Sequence, residues 1–271
     1  MKHSVARYAG RSFDCIRAVK AQFNAFGYAP GSVLFEMGRT KVLCAVSMQP
    51  GVPKFLKGKQ RGWLTAEYAM LPTSTSIRTQ REISRMRRDG RAQEISRFIS
   101  RSLRTIVDFE KLGDRTIFVD CDVLQADAGT RTACVTGASL ALYAAVEKWL
   151  ANGVLTQNVL KDSLAALSVG WFDGGPLLDL DFSEDSKVDA DFNIVMTKSG
   201  NLIEFQGAVE GNPLSWEQFE QVRALAVRGI EQLLSRCDQL LSKHKEVSKS
   251  RQEKKQRSGL FSLQNRLNSP S

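Results

Sequence analysis

The sequence predicts an α+β fold built from two similar β-hairpin-plus-helix units in tandem, with sheets packed on helices. Three observations carry this reading. Alternating, β-branched-rich runs surround short glycine turns in residues 31–48, 164–182 and 190–206, as hairpins require. Apolar residues recur at three- and four-residue steps in 90–112, 132–150 and 216–241, the pattern of helices with one buried stripe. The order of hairpin and helix repeats in outline across a connection at 152–162, which gives two units of about 11–150 and 160–241.

The elements follow in order. GSVLFEMGRTKVLCAVSM (31–48) is two strands around a Gly-Arg turn, and a further strand at 62–71 is stopped by Pro72. Between them a basic loop carries Lys54, Lys57, Lys59 and Arg61, for which a solvated loop is the bland reading and not the sole one. Gly90 introduces a helix whose Ile95, Phe98, Ile99, Leu103, Ile106 and Val107 form one stripe, with Gly113 as its end. A strand at 115–124 leads through Gly129-Thr130-Arg131 into a helix at 132–150. In the second half the hairpin turns are Asp173-Gly174-Gly175 and Lys198-Ser199-Gly200, and Ser215 with Gln218 has capping-box spacing at the start of the last helix.

The stretch DCDVLQADAGTR (120–131) is the first candidate for chemistry. A strand that turns through glycine into a helix leaves N–H groups aimed at one point, where the helix dipole favours an anion. Arg131 adds a planar fork of donors that suits phosphate oxygens. A plain helix cap has the same local sequence, so the turn alone leaves both readings open. The second candidate is FSEDSKVDADFNIV (182–195), with Glu184, Asp185, Asp189 and Asp191 between two strands. Clustered carboxylates repel one another, and water or a cation must offset that cost. One or two of them can hold Mg²⁺ while substrate phosphates complete its shell, and Asp185 and Asp191 flank the loop at its two edges. A solvated turn is the alternative.

Composition narrows the function. The net charge of +9 favours an acidic partner such as nucleic acid. Residues 243–271 alone contribute +6, so 242–271 reads as a basic, flexible tail or a frayed helical extension. Residues 73–91 hold Arg78, Arg81, Arg85, Arg87, Arg88 and Arg91 against Glu82 and Asp89. Self-repulsion predicts an extended segment that either stays solvated or contacts an RNA backbone. Only His3 and His244 are present, which argues against imidazole chemistry. Five scattered cysteines match no zinc or redox spacing, no signal sequence opens the chain, and no apolar run could span a bilayer. The expected setting is the cytoplasm, with no membrane partner.

Six segments then coincide with a known family. GSVLFEMGRTKVLCAVS, GVPKFLKGKQRGWLTAEYAMLP, DGRAQEISRFISRSLR, DCDVLQADAGTRTACVTGAS, DLDFSEDSKVDADFNIVMT and EFQGAVEG resemble, in the same order, the signature segments of ribonuclease PH. The likeness spans nearly all of residues 11–241. It implies a single family domain over 1–241, with tandem βαβα units of the ribosomal protein S5 domain 2-like type and mixed sheets packed on helices. It implies phosphorolysis at RNA 3′ ends, in which inorganic phosphate releases nucleoside 5′-diphosphates and trims the 3′ extensions of tRNA precursors. It places phosphate on Gly129, Thr130 and Arg131 with Arg91, the catalytic and metal-linked carboxylates on Asp185 and Asp191, and RNA contacts on Arg78 and Arg81. Mg²⁺ and a homohexamer arranged as a trimer of dimers are further implications. Thr73 stands where many members have arginine, and Arg7-Tyr8-Ala9-Gly10-Arg11 departs from the usual RPDGR. A non-catalytic RNA-binding ring subunit, like the inactive members of exosome cores, is the competing expectation. Such subunits lose the phosphate arginine or the aspartates, and neither is lost here.

Overall fold

The order of strands explains how two distant parts of the chain reach one place. The structure, a computed structural model, describes Arg7 and residues 10–81 and 89–267. Glu82, Arg85, Arg87 and Arg88 of the arginine-rich segment, with His3, Tyr8 and Ala9, lie outside the described residues. The first sheet is built from β1 (Val19–Phe23), β2 (Gly31–Met37), β3 (Thr40–Pro50), β4 (Trp63–Met70) and β5 (Arg115–Gln125), in the order β1-β2-β3-β5-β4. It is mixed, because β4 runs parallel to β5 and the other pairs are antiparallel. The second sheet contains β6 (Leu164–Phe172), β7 (Gly175–Leu178), β8 (Ala190–Thr197) and β9 (Leu202–Val209), ordered β7-β6-β8-β9 and antiparallel throughout.

Parallel pairing of β4 with β5 demands a crossover, which α1 (Gly90–Thr105) and α2 (Phe109–Leu112) supply. The β4-α1/α2-β5 passage followed by α3 (Thr130–Ala151) is the βαβα order. Helix α3 has Ala, Gly, Ser and Thr at many positions and is buried on most of its surface. It packs on β2 and β3 of the first sheet and on β6 of the second. Small residues permit this: a Cβ at Gly31 on β2 would stand 2.1 Å from the Ala141 carbonyl oxygen of α3, so only glycine allows strand and helix to approach so closely.

Several elements depart from expectation. Strand β1 has no sequence mark, since only Val19 of its five residues is buried. The helix that opens at Gly90 stops at Thr105 rather than near Gly113. Val107 pairs with Leu160 in an isolated bridge, and Asp108 caps the separate helix α2 through the Lys111 N–H. Helix α3 begins at Thr130, two residues earlier than its apolar stripe indicates. The acidic stretch is not a plain loop, because Asp181 caps the short helix α4 (Phe182–Asp185) in a capping box with Glu184.

The last helix, α5 (Trp216–Leu267), opens with the expected reciprocal bonds: Gln218 N–H donates to Ser215 Oγ, and Ser215 N–H to Gln218 Oε1. Two compact units are distinguished, Met1–Leu234 and Ser235–Ser271. In the first, Val222, Leu225, Ala226 and Ile230 of α5 are buried, with Gly229 against Leu178 and Leu167. What is described of the second is helical. Cys44, Cys121, Cys134 and Cys237 are buried thiols, and Cys15 is exposed. No helix among the described residues is long and apolar enough to cross a membrane.

Candidate active site

The turn between β5 and α3 is held in an unusual backbone shape. Ala128 and Gly129 both have positive φ, 57° and 61°. Two successive left-handed residues reverse the chain tightly, and the alanine needs outside support because such a conformation is strained for any residue with a Cβ.

That support is buried. The Thr40 hydroxyl, at the start of β3, donates to the Ala128 carbonyl at 2.7 Å and accepts from Asp127 N–H at 3.1 Å. Arg17 Nη1 donates to the Asp127 carbonyl at 2.6 Å. The same guanidinium grips Asp179 of the second half through Nε at 3.0 Å and Nη2 at 2.7 Å. Asp127 accepts both Arg39 donors and, at 3.4 Å, the N–H of Phe182, the first residue of α4. Two carboxylates and two arginines thus join the turn to the helix that carries Asp185.

Helix α3 opens toward a cavity of about 790 Å³. Gly129 provides no side-chain cap for the first-turn N–H groups, which leaves them suited to an anion. The buried Thr130 hydroxyl lies 3.0 Å from Tyr68 Oη, and burial raises the Tyr68 phenol so that it stays a neutral hydroxyl. Arg131 reaches the second sheet, donating to Gln206 Oε1 at 3.1 Å, and stands 3.6 Å from Glu94 of α1. Arg91 is exposed at the start of α1, where its N–H satisfies the Asp89 cap. Arg91, Gly129, Thr130, Arg131, Asp185 and Asp191 all line this cavity.

The carboxylates of the acidic stretch divide by the direction they face. Glu184 does not add to a four-carboxylate cluster. It turns inward and takes two bonds from the buried Arg7, at 2.7 and 2.9 Å, with Arg11 at 3.2 Å. Asp185, at the end of α4, and Asp191, near the start of β8, keep facing the cavity. The Asp185 carboxyl is raised above the ordinary carboxylate range by desolvation and then by Asp191, with Arg91 and Arg131 opposing. One field therefore links all four residues. Among the described residues no group of three or more His, Cys, Asp or Glu could hold a metal ion. The two aspartates match the sparse protein ligation of Mg²⁺, which relies on substrate phosphates and water for the rest of its shell.

Arg78 and Arg81 are exposed in the segment after Pro72 and do not line the cavity, although Arg81 acts on Asp122 of β5. Thr73 and Ser74 do line it, and the buried Ser74 hydroxyl finds no partner among the described residues. Sequence reading missed Arg17, Thr40, Asp127 and Asp179. Their partners are far away in the chain, so no local pattern marks them.

Comparison with known proteins covers both halves of the chain. Residues 15–146 match domain 1 of the 3′ exoribonuclease family and residues 162–229 match its domain 2. The chain is 50% identical over 232 residues to the ribonuclease PH of Neisseria meningitidis serogroup C, covering 86% of this chain and 96% of that protein. This chain belongs to the ribonuclease PH family. The ribonuclease PH of Neisseria gonorrhoeae is 51% identical over 224 residues, 83% of this chain and 93% of its own. Ribonuclease PH membership makes the chain a phosphorolytic 3′-to-5′ exoribonuclease with inorganic phosphate as co-substrate. Solved structures agree on the fold. Rice Rrp46 superposes with a TM-score of 0.70 at 18% identity, over 86% of this chain and 98% of that one. A chain of the Archaeoglobus fulgidus exosome, solved with RNA bound to the active site, gives 0.69 at 23% identity, over 85% and 92%. The ribonuclease PH fold expected from sequence is therefore the fold observed.

Proposed function

We propose that the chain trims the 3′ extensions of tRNA precursors in the cytoplasm, at the cavity where the β5–α3 turn meets Asp185 and Asp191. The single observation that carries the site assignment is convergence: anion donors from the first half and carboxylates from the second line one cavity. Gly129, Thr130, Arg131 and Arg91 bind the attacking phosphate. Arg78 and Arg81, exposed outside the cavity, contact the RNA. Residues 1–241 act as the family domain, in two halves of about 11–150 and 160–241, and 242–271 as a basic extension. Homohexamers form as trimers of dimers.

The chemistry follows from charge. A phosphate oxygen attacks the phosphorus of the terminal diester, the bond to the preceding 3′ oxygen breaks, and that oxygen takes a proton. The terminal nucleotide leaves as a nucleoside 5′-diphosphate. Two anions must meet, so fixed donors are needed before the reaction. Helix-start N–H groups, Arg131 and Arg91 supply them without a histidine. Asp185 and Asp191 would hold a divalent cation, most simply Mg²⁺, whose contribution when bound is to offset charge on the scissile phosphate. Asp185 is alternatively the group that delivers the proton to the leaving oxygen, and its raised carboxyl suits that role. A tRNA with a 3′ extension should shorten only when phosphate is supplied. Shortening that ignores phosphate, or equal action on any unstructured RNA, contradicts the proposal.

A further inference from the structure

A second surface, away from the cavity, has the chemistry of a nucleic-acid platform. The loop between β3 and β4 carries Lys54, Lys57, Lys59 and Arg61, with no acidic residue from 49 to 66. All four cations are exposed, and none is ion-paired with a described carboxylate. The loop is nevertheless built rather than loose. A 3₁₀ turn at Lys54–Leu56 is closed by Leu56 N–H to Pro53 O at 2.9 Å, and Leu56 is buried beneath it.

That turn lifts Phe55 into solvent at 58% exposure. The ring is held edge-on to Trp63, with centroids 5.2 Å apart. Trp63 in turn carries the Arg104 guanidinium 3.8 Å over its ring and lies against Phe109, over which Arg61 sits at 5.8 Å. Arg104 is fixed by a bond from Nε to the Leu64 carbonyl at 2.8 Å. Phe55 is the ring of this cluster left open to a base, since Phe109 is buried and half-buried Trp63 carries Arg104 on one face and braces Phe55 edge-on, while the surrounding lysines match a phosphate backbone. An exposed phenylalanine among cations offers little to a protein partner's apolar core and much to an unpaired base.

Position adds to the argument. Strands β4 and β5 run side by side from this platform to the cavity, from Trp63 beside Thr116 to Met70 beside Val123. At the usual strand rise the two ends of β4 are roughly 23 Å apart, so a strand of RNA several nucleotides long could touch both.

We infer that Phe55, Trp63 and the cations of the β3–β4 loop form a stacking platform for single-stranded RNA upstream of the 3′ end held in the cavity. This rests on the phosphorolytic reading for its direction but not for its existence. The test uses the full chain with two variants, Phe55→Ala and Lys54→Gln/Lys57→Gln/Lys59→Gln, and two single-stranded probes, a long one and a short oligonucleotide confined to the cavity. Loss of Phe55 weakens long-strand binding by about fivefold or more. Loss of the three lysines lowers the slope of log Kd against log salt by roughly 2. Turnover of the short oligonucleotide stays at the wild-type value in both. Long-strand affinity unchanged in both variants overturns the platform, as does an equal loss on the short probe. Wild-type protein that binds the long strand through Phe55 but fails to shorten it with phosphate overturns the phosphorolytic reading and leaves the platform standing.

Discussion

The β5–α3 turn and the Asp185/Asp191 pair face the same cavity but are built on opposite principles. The turn is over-determined: Arg17, Thr40 and Asp127 fix a strained backbone through buried bonds at 2.6 to 3.1 Å. The aspartates are under-compensated, and Asp185 is pushed toward its neutral form by desolvation and by its neighbour. The backbone part of the proposed anion site needs only rigidity, because its N–H donors carry no net charge. Carboxylates proposed to hold a cation must stay without a fixed cationic partner and accept the instability that brings. Substitutions in the first region should therefore damage the fold, and those in the second should damage function alone.

The largest effect is expected at Arg17. Arg17→Ala leaves Asp179 buried at 1% exposure with Arg11, 3.6 Å away, as its remaining cationic partner among the described residues, and frees the Asp127 carbonyl. Breaking a buried pair in this way costs about 3 kcal/mol or more, read as a fall in the denaturant midpoint. A variant as stable as wild type would show that the turn does not depend on this link.

Asp185→Asn is the counterpart. Turnover should fall by roughly 10²–10³-fold, as for loss of a major transition-state group, while RNA binding persists. Stability should equal or exceed that of wild type. The sign follows from the raised carboxyl: the folded state prefers Asp185 protonated, so wild-type stability declines as pH rises from below the ordinary carboxylate range through the raised value. The advantage of the asparagine variant should grow over that window when unfolding is followed in chelator. A variant less stable than wild type at neutral pH would remove the contrast between the two regions.

At the turn itself, Tyr68→Phe strips the Thr130 hydroxyl of its partner at 3.0 Å. The expected loss is about 1 kcal/mol of stability, with little change in turnover at saturating phosphate. A large loss of turnover instead would make Tyr68 a participant in the reaction and not a support.

The same contrast separates what the sequence discloses from what it hides. Gly129-Thr130-Arg131 was legible because a glycine between a strand and a helix is a local signal with a backbone cause. The Ser215/Gln218 cap was legible for the same reason, since both partners lie within one turn. Arg17 and Asp179 are 162 residues apart, and nothing near either marks the other. In the sequence Glu184 is one of four clustered carboxylates, whereas in the structure Arg7 and Arg11, from a segment 173 or more residues earlier, neutralise it. The break between α1 and α2 was invisible because Ile106 and Val107 continue the apolar stripe, while the bridge from Val107 to Leu160 that ends it is a tertiary event. Periodicity reports burial; it does not report where the partner strand comes from.

The central claim is that the β5–α3 turn with Arg131 holds the attacking phosphate. It is tested most directly by trimming an RNA 3′ extension with isotopically labelled phosphate, using wild type and Arg131→Ala. The account predicts label in the terminal phosphoryl group of released nucleoside 5′-diphosphates. In Arg131→Ala the phosphate KM should rise by about tenfold or more, the loss of a charge-assisted contact, with RNA affinity little changed. Unlabelled monophosphate products, or an unchanged phosphate KM in the variant, would contradict it.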